Sequence, residues 1–431
     1  MFPPETEQMV NRARNALPGG WLGDLILPDA MTLVASHGKG SRLFDVDGRS
    51  FLDLTCGGGS LILGHAHPAV TDAVRKQLES GSTFYTLNGR SIELAEKLID
   101  AIPCAEKVRF ASAGAEATFY TLRLARSFTG KNKILKFEGS YVGHHDYGMI
   151  SVSPPESNTP LSPHLDSAGI PEELKDLVVI APFNDTETTC KLIEQHASEL
   201  AVVLVEAVQR SIPPAPGFLE AIRETTKRCG VLLAFDEVVT GFRLAYGGAQ
   251  ERYGVIPDLA AYGKAIACGY PLSAVVGRSD VMALADPSLK GKPNYVYFSG
   301  TLSGNPLCCA ASLATLEQLK RPGTYEKLDE MGDRFREGLA GIFVKHGLQA
   351  QVVGVGSLFQ IFFTTDPVKD YRGQTRANRA LFETFARNMF AKGIFLSRRA
   401  KNYISTAHTE RDLDEFLSAA DSVCKAELRA A

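Results

Sequence analysis

The chain of 431 residues is long enough for a large buried core and, by length alone, for two or three domains. Its 45% hydrophobic and 22% charged residues are ordinary for a globular protein, and a formal net charge of -3 gives no electrostatic reason to expect nucleic acid or an anionic membrane as partner. Two early prolines and several charges argue against a signal peptide, and the most apolar segment, Leu200 to Val208, is far too short to span a bilayer, so a cytoplasmic protein is expected.

The first segment reads as a helix followed by a β-hairpin. Thr32-Leu33-Val34 and Arg42 to Val46 lead into Asp47-Gly48, a dipeptide suited to a type I′ turn, and the chain returns through Ser50-Phe51-Leu52. Pro68 opens a second helix, with Val70, Val74 and Leu78 on one face and Gly81 as its stop. Short apolar runs then alternate with helical periods: Ile134–Phe137, Leu177–Ile180, Ala201–Val205, Val231–Phe235 and Ala274–Val276. Continuous apolarity means that both faces are covered, as in a mainly parallel sheet between helices, and predicts an α/β fold. From about residue 320 amphipathic helices return, with Phe359–Phe363 a strand. The simplest arrangement is a large domain over 68–320 and a small α+β domain made from both chain ends, 1–67 and 321–431. The eight cysteines are scattered without metal-type spacing. They are expected to be reduced, small hydrophobes, and no metal site is expected.

In open parallel sheets, ligands gather at the carboxyl ends of the strands. There Val231–Phe235 runs straight into Asp236-Glu-Val-Val-Thr-Gly-Phe-Arg243, and a carboxylate so placed can keep a pyridine nitrogen protonated. Downstream, Lys264 follows a glycine inside an uncharged stretch, where desolvation lowers its pKa towards a nucleophilic amine. Upstream, Ser112-Ala-Gly-Ala-Glu-Ala117 forms a small-residue turn at a helix start, which can cradle an anion on unpaired N–H groups. Each piece also has an ordinary reading: a helix cap, a solvated lysine, a packing turn.

Together and in order, these motifs resemble the class III, fold-type I aminotransferases, close to the glutamate-1-semialdehyde aminomutase and β-amino acid aminotransferase branch. Leu17-Pro-Gly-Gly20, Leu63 to Pro68, Phe137-Glu-Gly-Ser-Tyr141, Phe183-Asn-Asp185, Gly300-Thr-Leu-Ser-Gly-Asn-Pro306 and Ala407-His-Thr409 extend the likeness over nearly the whole chain. The resemblance implies pyridoxal 5′-phosphate as cofactor, held as a Schiff base on Lys264, which also shuttles the proton. Asp236 pairs with the pyridine nitrogen; Val238 and Tyr141 pack on opposite ring faces; Gly114 and Ala115 offer N–H groups to the phosphate. Glu206 ends its strand near the cofactor. Thr301 reaches the phosphate of a neighbouring subunit, implying a homodimer with shared active sites. His65, His67, Phe183 and Asn184 read as fold markers.

The chain also departs from that pattern. Ala113 and Ala115 replace hydroxyl residues of the phosphate turn, which leaves Ser112 to compensate. Ala207 replaces a proline, and Gln209-Arg210 stands where the aminomutases commonly have Gly-Asn. The segment Trp21–Leu27 lacks their substrate-binding arginine, Cys56-Gly-Gly-Gly-Ser60 replaces a bulky wall, and a glutamate before Ala407-His-Thr409 is missing. In its place stands Ser397-Arg-Arg-Ala-Lys401, where the spacing of the β-amino acid aminotransferases puts a carboxylate-binding arginine at Arg399, with Arg398 beside it. Arginine suits that work because its fork holds a carboxylate bidentately, although two solvated arginines on a loop are the other reading. Trp21 is a further pocket-lining candidate, or else core. The expected reaction is ping-pong transfer of an amino group from a β-amino acid or amine to a 2-oxo acid. The alternative is intramolecular transfer of the aminomutase type, which needs no added acceptor.

Overall fold

The computed structural model describes residues 3–23, 26–397 and 401–427. Strands without polar alternation need cover on both faces, and the chain provides it. Leu200–Val205, buried at every position, lies between Leu232–Glu237 and Lys133–Phe137 in a seven-stranded sheet. The spatial order is Lys107–Ala111, Ser273–Gly277, Leu259–Tyr262, Leu232–Glu237, Leu200–Val205, Lys133–Phe137, Val178–Ala181. Only Ser273–Gly277 runs antiparallel, to both of its neighbours. Because side chains alternate along a strand, the sheet feeds two apolar layers. Phe137, Val203, Val205, Leu233, Phe235, Tyr262 and Val276 enter one; Ile134, Val202, Leu204, Leu232, Ala234 and Val275 enter the other, under the helix Gly114–Thr129.

A separate apolar cluster joins the two chain ends. Leu27, Met31, Phe51, Leu52 and Leu54 pack with Phe335, Phe343, Phe359, Phe385, Phe390, Ile394 and Phe416. The backbone makes the same join, because Ile394–Phe395 pairs parallel to Ser50–Asp53 at the edge of the N-terminal sheet. The fold is the α/β arrangement that the sequence predicts.

Some elements differ from expectation. The first strand is Ala35–Lys39, not Thr32–Val34, because Arg42–Asp45 pairs back onto it across Gly40 as well as forward onto Ser50–Asp53. Gly48, at φ +79°, does make the turn at Asp47-Gly48. In the helix Pro68–Glu79, Leu78 is exposed and Gln77 is buried with Val70 and Val74: spacings of four and seven stay on one face, while eight drifts off it. Two strands lie outside the apolar runs. Lys107–Ala111 is an edge strand that carries Lys107 and Arg109, and Leu259–Tyr262 carries two alanines. All eight cysteines are free thiols. Among the described residues no helix is long and apolar enough to cross a membrane.

Candidate active site

Two antiparallel pairings in succession return Lys107–Ala111 to the direction of the parallel strands, so five strand exits meet at one edge of the sheet. They deliver Ser112 and Ala113, then Lys264, Asp236, Glu206, and Glu138 with Tyr141. Gly263 is extended, and Lys264 turns to φ +48°, which ends the strand and swings the lysine out of the sheet. A left-handed conformation costs a non-glycine residue about 1–2 kcal/mol, and such strain is characteristic of positions whose direction matters. The side chain of Lys264 enters a cavity of 1540 Å³ whose walls also hold Asp236, Glu206, Val238, Tyr141, Ser112, Gly114 and Ala115. Eight of the residues singled out in the sequence thus share one site.

The electrostatics follow from burial. Desolvation pushes Asp236 up to about 7, with the neighbouring Glu206 charge adding to the effect. Its Oδ1 accepts the Val238 N–H at 2.9 Å, whereas Oδ2 has no hydrogen-bond partner among the described residues. Burial lowers Lys264 below the usual ammonium range, opposed by Asp236 and Glu206. Glu206 accepts the backbone N–H of Tyr141 at 3.0 Å and lies 3.7 Å from Lys401 Nζ, both side chains being buried. Desolvation brings Lys401 down to about 8, opposed by the Glu206 carboxylate.

At the helix start Ala113 has no side-chain cap, so the first N–H groups of Gly114–Thr129 stay available to an anion. A Cβ at Gly114 would lie 2.8 Å from Val238 Cγ1, so only glycine lets the cradle close against the residue two beyond Asp236. Thr118 Oγ1 braces this turn against the carbonyls of Gly114 and Ala115, at 3.2 and 3.1 Å, and lies 3.2 Å from His145 Nε2.

The remaining residues fall elsewhere. Thr301 lies exposed in a turn and does not line this cavity within one chain. The expectation that Trp21 walls the pocket is not met within one chain either: it is half-buried against the cluster built from both chain ends. Arg398 and Arg399 lie outside the described residues. Two side chains that the sequence reading left without a role, Arg210 and Lys401, do line the cavity. The one hint of Arg210 was its place in a departure from the aminomutase pattern; Lys401 stood unremarked beside Arg399. Of the rest of the Asp236–Arg243 signature, Val239 and Thr240 also line the cavity, while Glu237 and Arg243 are architecture. Glu237 accepts the N–H groups of Ala249 and Gln250 at 2.9 and 3.0 Å. Arg243, fully buried, donates to Ser357 Oγ at 3.2 Å, to the Ile404 carbonyl at 3.3 Å and to the Gly59 carbonyl. The markers are structural as well: His65 pairs with Asp53 at 2.8 Å, and Asn184 holds the Pro213 and Lys369 carbonyls.

The model of the class-III aminotransferase family matches residues 28–411. The chain is 38% identical to a glutamate-1-semialdehyde 2,1-aminomutase of Desulforamulus reducens, over 98% of both chains. Among solved structures it is similar to an omega-transaminase from Sphaerobacter thermophilus, with TM-score 0.92, 34% identity and 97% of each chain covered. A transaminase with PLP bound follows at TM-score 0.91 and 30% identity, over 100% of this chain and 99% of that one. A β-phenylalanine aminotransferase from Variovorax paradoxus gives TM-score 0.86 and 29% identity, over 98% and 94%.

Proposed function

The chain belongs to the class-III aminotransferases, enzymes of fold-type I that use pyridoxal 5′-phosphate, and from that premise we propose that it moves amino groups on small carboxylate-bearing molecules, by intramolecular transfer of the aminomutase type. The observation that carries amino transfer at all is the meeting of Lys264, an Asp236 oxygen without a partner and an uncapped helix start in one cavity. The intramolecular form is supported by the name of the curated relative, which stands closer to that alternative than to the β-amino acid transamination expected from the sequence.

The donor set fits the cofactor: an acceptor for a ring N–H, an amine of lowered basicity and a cradle of free N–H groups. When bound, pyridoxal phosphate supplies an electron sink that acidifies the carbon bearing the amine. In this assignment Lys264 Nζ would hold the cofactor covalently and, as a free amine of lowered basicity, would carry the proton between carbons. Asp236 Oδ2 keeps the ring nitrogen protonated. Gly114, Ala115 and Ser112 would bind the phosphate and Val238 and Tyr141 would pack against the ring, while Glu206 holds the Tyr141 backbone N–H. Thr301 of a second copy completes the phosphate site, so the working unit is a homodimer.

A second reading, intermolecular transfer from a β-amino acid or amine to a 2-oxo acid, is favoured by one feature. The Trp21–Leu27 segment has no arginine to hold a substrate as the aminomutases do, and the similarity to an omega-transaminase agrees with that. One experiment separates the two. Glutamate-1-semialdehyde offered alone should give its 5-amino-4-oxo isomer without any added acceptor. Conversion of β-phenylalanine only when a 2-oxo acid is present would replace the first reading with the second. A visible cofactor band that no amine perturbs would remove both.

A further inference from the structure

Four features of Arg210 converge on one use. Its guanidinium stands 5.7 Å above the ring of Tyr141, on the wall of the same cavity as Lys264. Its Nε–H donates to the Gly139 carbonyl at 3.1 Å, which fixes the plane of the fork. The two terminal nitrogens have no protein partner, and no carboxylate lies within ion-pair distance of them among the described residues. Glu206, four residues upstream, is already engaged by Lys401 and by the Tyr141 N–H. Finally, the backbone at Arg210 is left-handed, φ +59°, in a tight turn where Gln209 bridges to Ile212. That conformation favours glycine, and an arginine held there forgoes about 1–2 kcal/mol.

An oriented, unpaired guanidinium in a partly desolvated pocket is a bidentate receptor for a carboxylate. Of the four carboxylates that line the cavity, Glu206 is paired with Lys401, Asp236 is offset by Lys264, Asp166 accepts the Val152 and Ser153 N–H groups, and Glu156 is exposed to solvent. We propose that Arg210 binds the carboxylate of the substrate and makes this enzyme favour amino compounds that carry one over those that do not. The proposal rests on the amino-transfer reading above and holds for its intramolecular and intermolecular forms alike. It makes Arg210 a specificity-determining residue and requires nothing of Arg398 or Arg399.

The test uses the cofactor-loaded protein and compares wild type with Arg210→Gln, Arg210→Lys and Arg210→Gly. The first probe is 3-phenylpropionate, which has a carboxylate and no amine, so it binds without reacting and is titrated by calorimetry. The second is a pair of donors, β-phenylalanine and 1-phenylethylamine, which differ in the carboxylate and are followed by bleaching of the visible band. Arg210→Gln should weaken 3-phenylpropionate about 10- to 100-fold, the range for a lost charge-assisted pair, and raise the KM of the carboxylate donor. The donor without a carboxylate should change by no more than about threefold, and Arg210→Lys should recover part of the binding. Arg210→Gly should lose binding equally while folding without the left-handed penalty, so a loss of affinity there is not a loss of structure. Unchanged affinity for 3-phenylpropionate in the Gln and Gly variants, or equal losses for both donors, overturns the proposal. A wild-type protein that binds 3-phenylpropionate through Arg210 but whose visible band responds to neither donor, and which leaves glutamate-1-semialdehyde unconverted, would instead overturn the amino-transfer reading.

Discussion

Asp236 is expensive to bury as an anion, and that makes its role separable from its effect on folding. In the cofactor-free protein its pKa is raised from the ordinary 3.8 to about 7, so the folded state holds the proton more tightly than the unfolded chain. The stability that this contributes is fully present below about pH 4 and is lost as pH rises through about 7. Asp236→Asn should therefore raise the Tm of the cofactor-free protein at pH 8, by roughly 1–3 °C, and the gain should shrink steadily as the pH falls towards 4. The same variant should lose a hundredfold or more in turnover, because the ring nitrogen loses its counter-charge. A variant less stable than wild type at both pH values would contradict the buried-charge account. Lys264 is tested by a different route, because two buried lysines line the cavity. Borohydride reduction followed by peptide mapping should place the cofactor on the peptide of Lys264; label on the peptide of Lys401 would overturn the assignment. Asp236 was legible in the sequence because it stands at the end of a recognisable apolar strand, and Lys264 because it follows a glycine inside an uncharged stretch. Arg210 and Lys401 were not, because a charged residue at a turn has no periodicity, and only the fold shows which way it faces.

At the scale of elements, the helix Gly114–Thr129 holds its anion cradle open by an absence of side chain. The contact of 2.8 Å that a Cβ at Gly114 would make with Val238 is too short to accommodate without movement. Gly114→Ala should shift the first turn away from the strand that carries Asp236. It should weaken cofactor binding about tenfold and cost about 1–3 kcal/mol, as overpacking does, although alanine is the better helix former. Equilibrium dialysis against pyridoxal phosphate, with a thermal melt beside it, measures both; unchanged affinity would show that the turn yields without consequence. The strands flanking this helix were unequally legible. Lys133–Phe137 and Leu200–Val205 announced themselves by unbroken apolar runs, because both faces are covered. Lys107–Ala111, which carries the cradle, was silent, because an edge strand tolerates Lys107 and Arg109 and breaks the pattern.

At the scale of the molecule, the open question is what covers the surface around Thr301. Two loops far apart in sequence are tied together there. Asn305 Nδ2 donates to Thr83 Oγ1 at 2.9 Å, and Asn88 Nδ2 donates to the Gly304 carbonyl at 3.1 Å. Around these ties Tyr85 is 78% and Leu87 82% exposed, with Phe84, Tyr297 and Leu302 also open to solvent. Large apolar side chains exposed on these two tied loops, in a chain whose other aromatic residues are mostly buried, are the kind of surface that the proposed homodimer would cover. Its proximity to Thr301 fits the homodimer that the sequence resemblance implied and that neither composition nor periodicity could reveal. Two variants separate the interface from the phosphate contact. Leu87→Asp should shift the protein towards monomer in light scattering and, by removing Thr301 of the second copy from the site, also weaken cofactor binding. Thr301→Ala should stay dimeric and weaken the cofactor by itself, by about a factor of ten, the loss of one good hydrogen bond to a charged group. If the Leu87→Asp monomer retained pyridoxal phosphate as tightly as wild type, each site would be complete within one chain. Thr301 would then be a loop residue without a part in the chemistry.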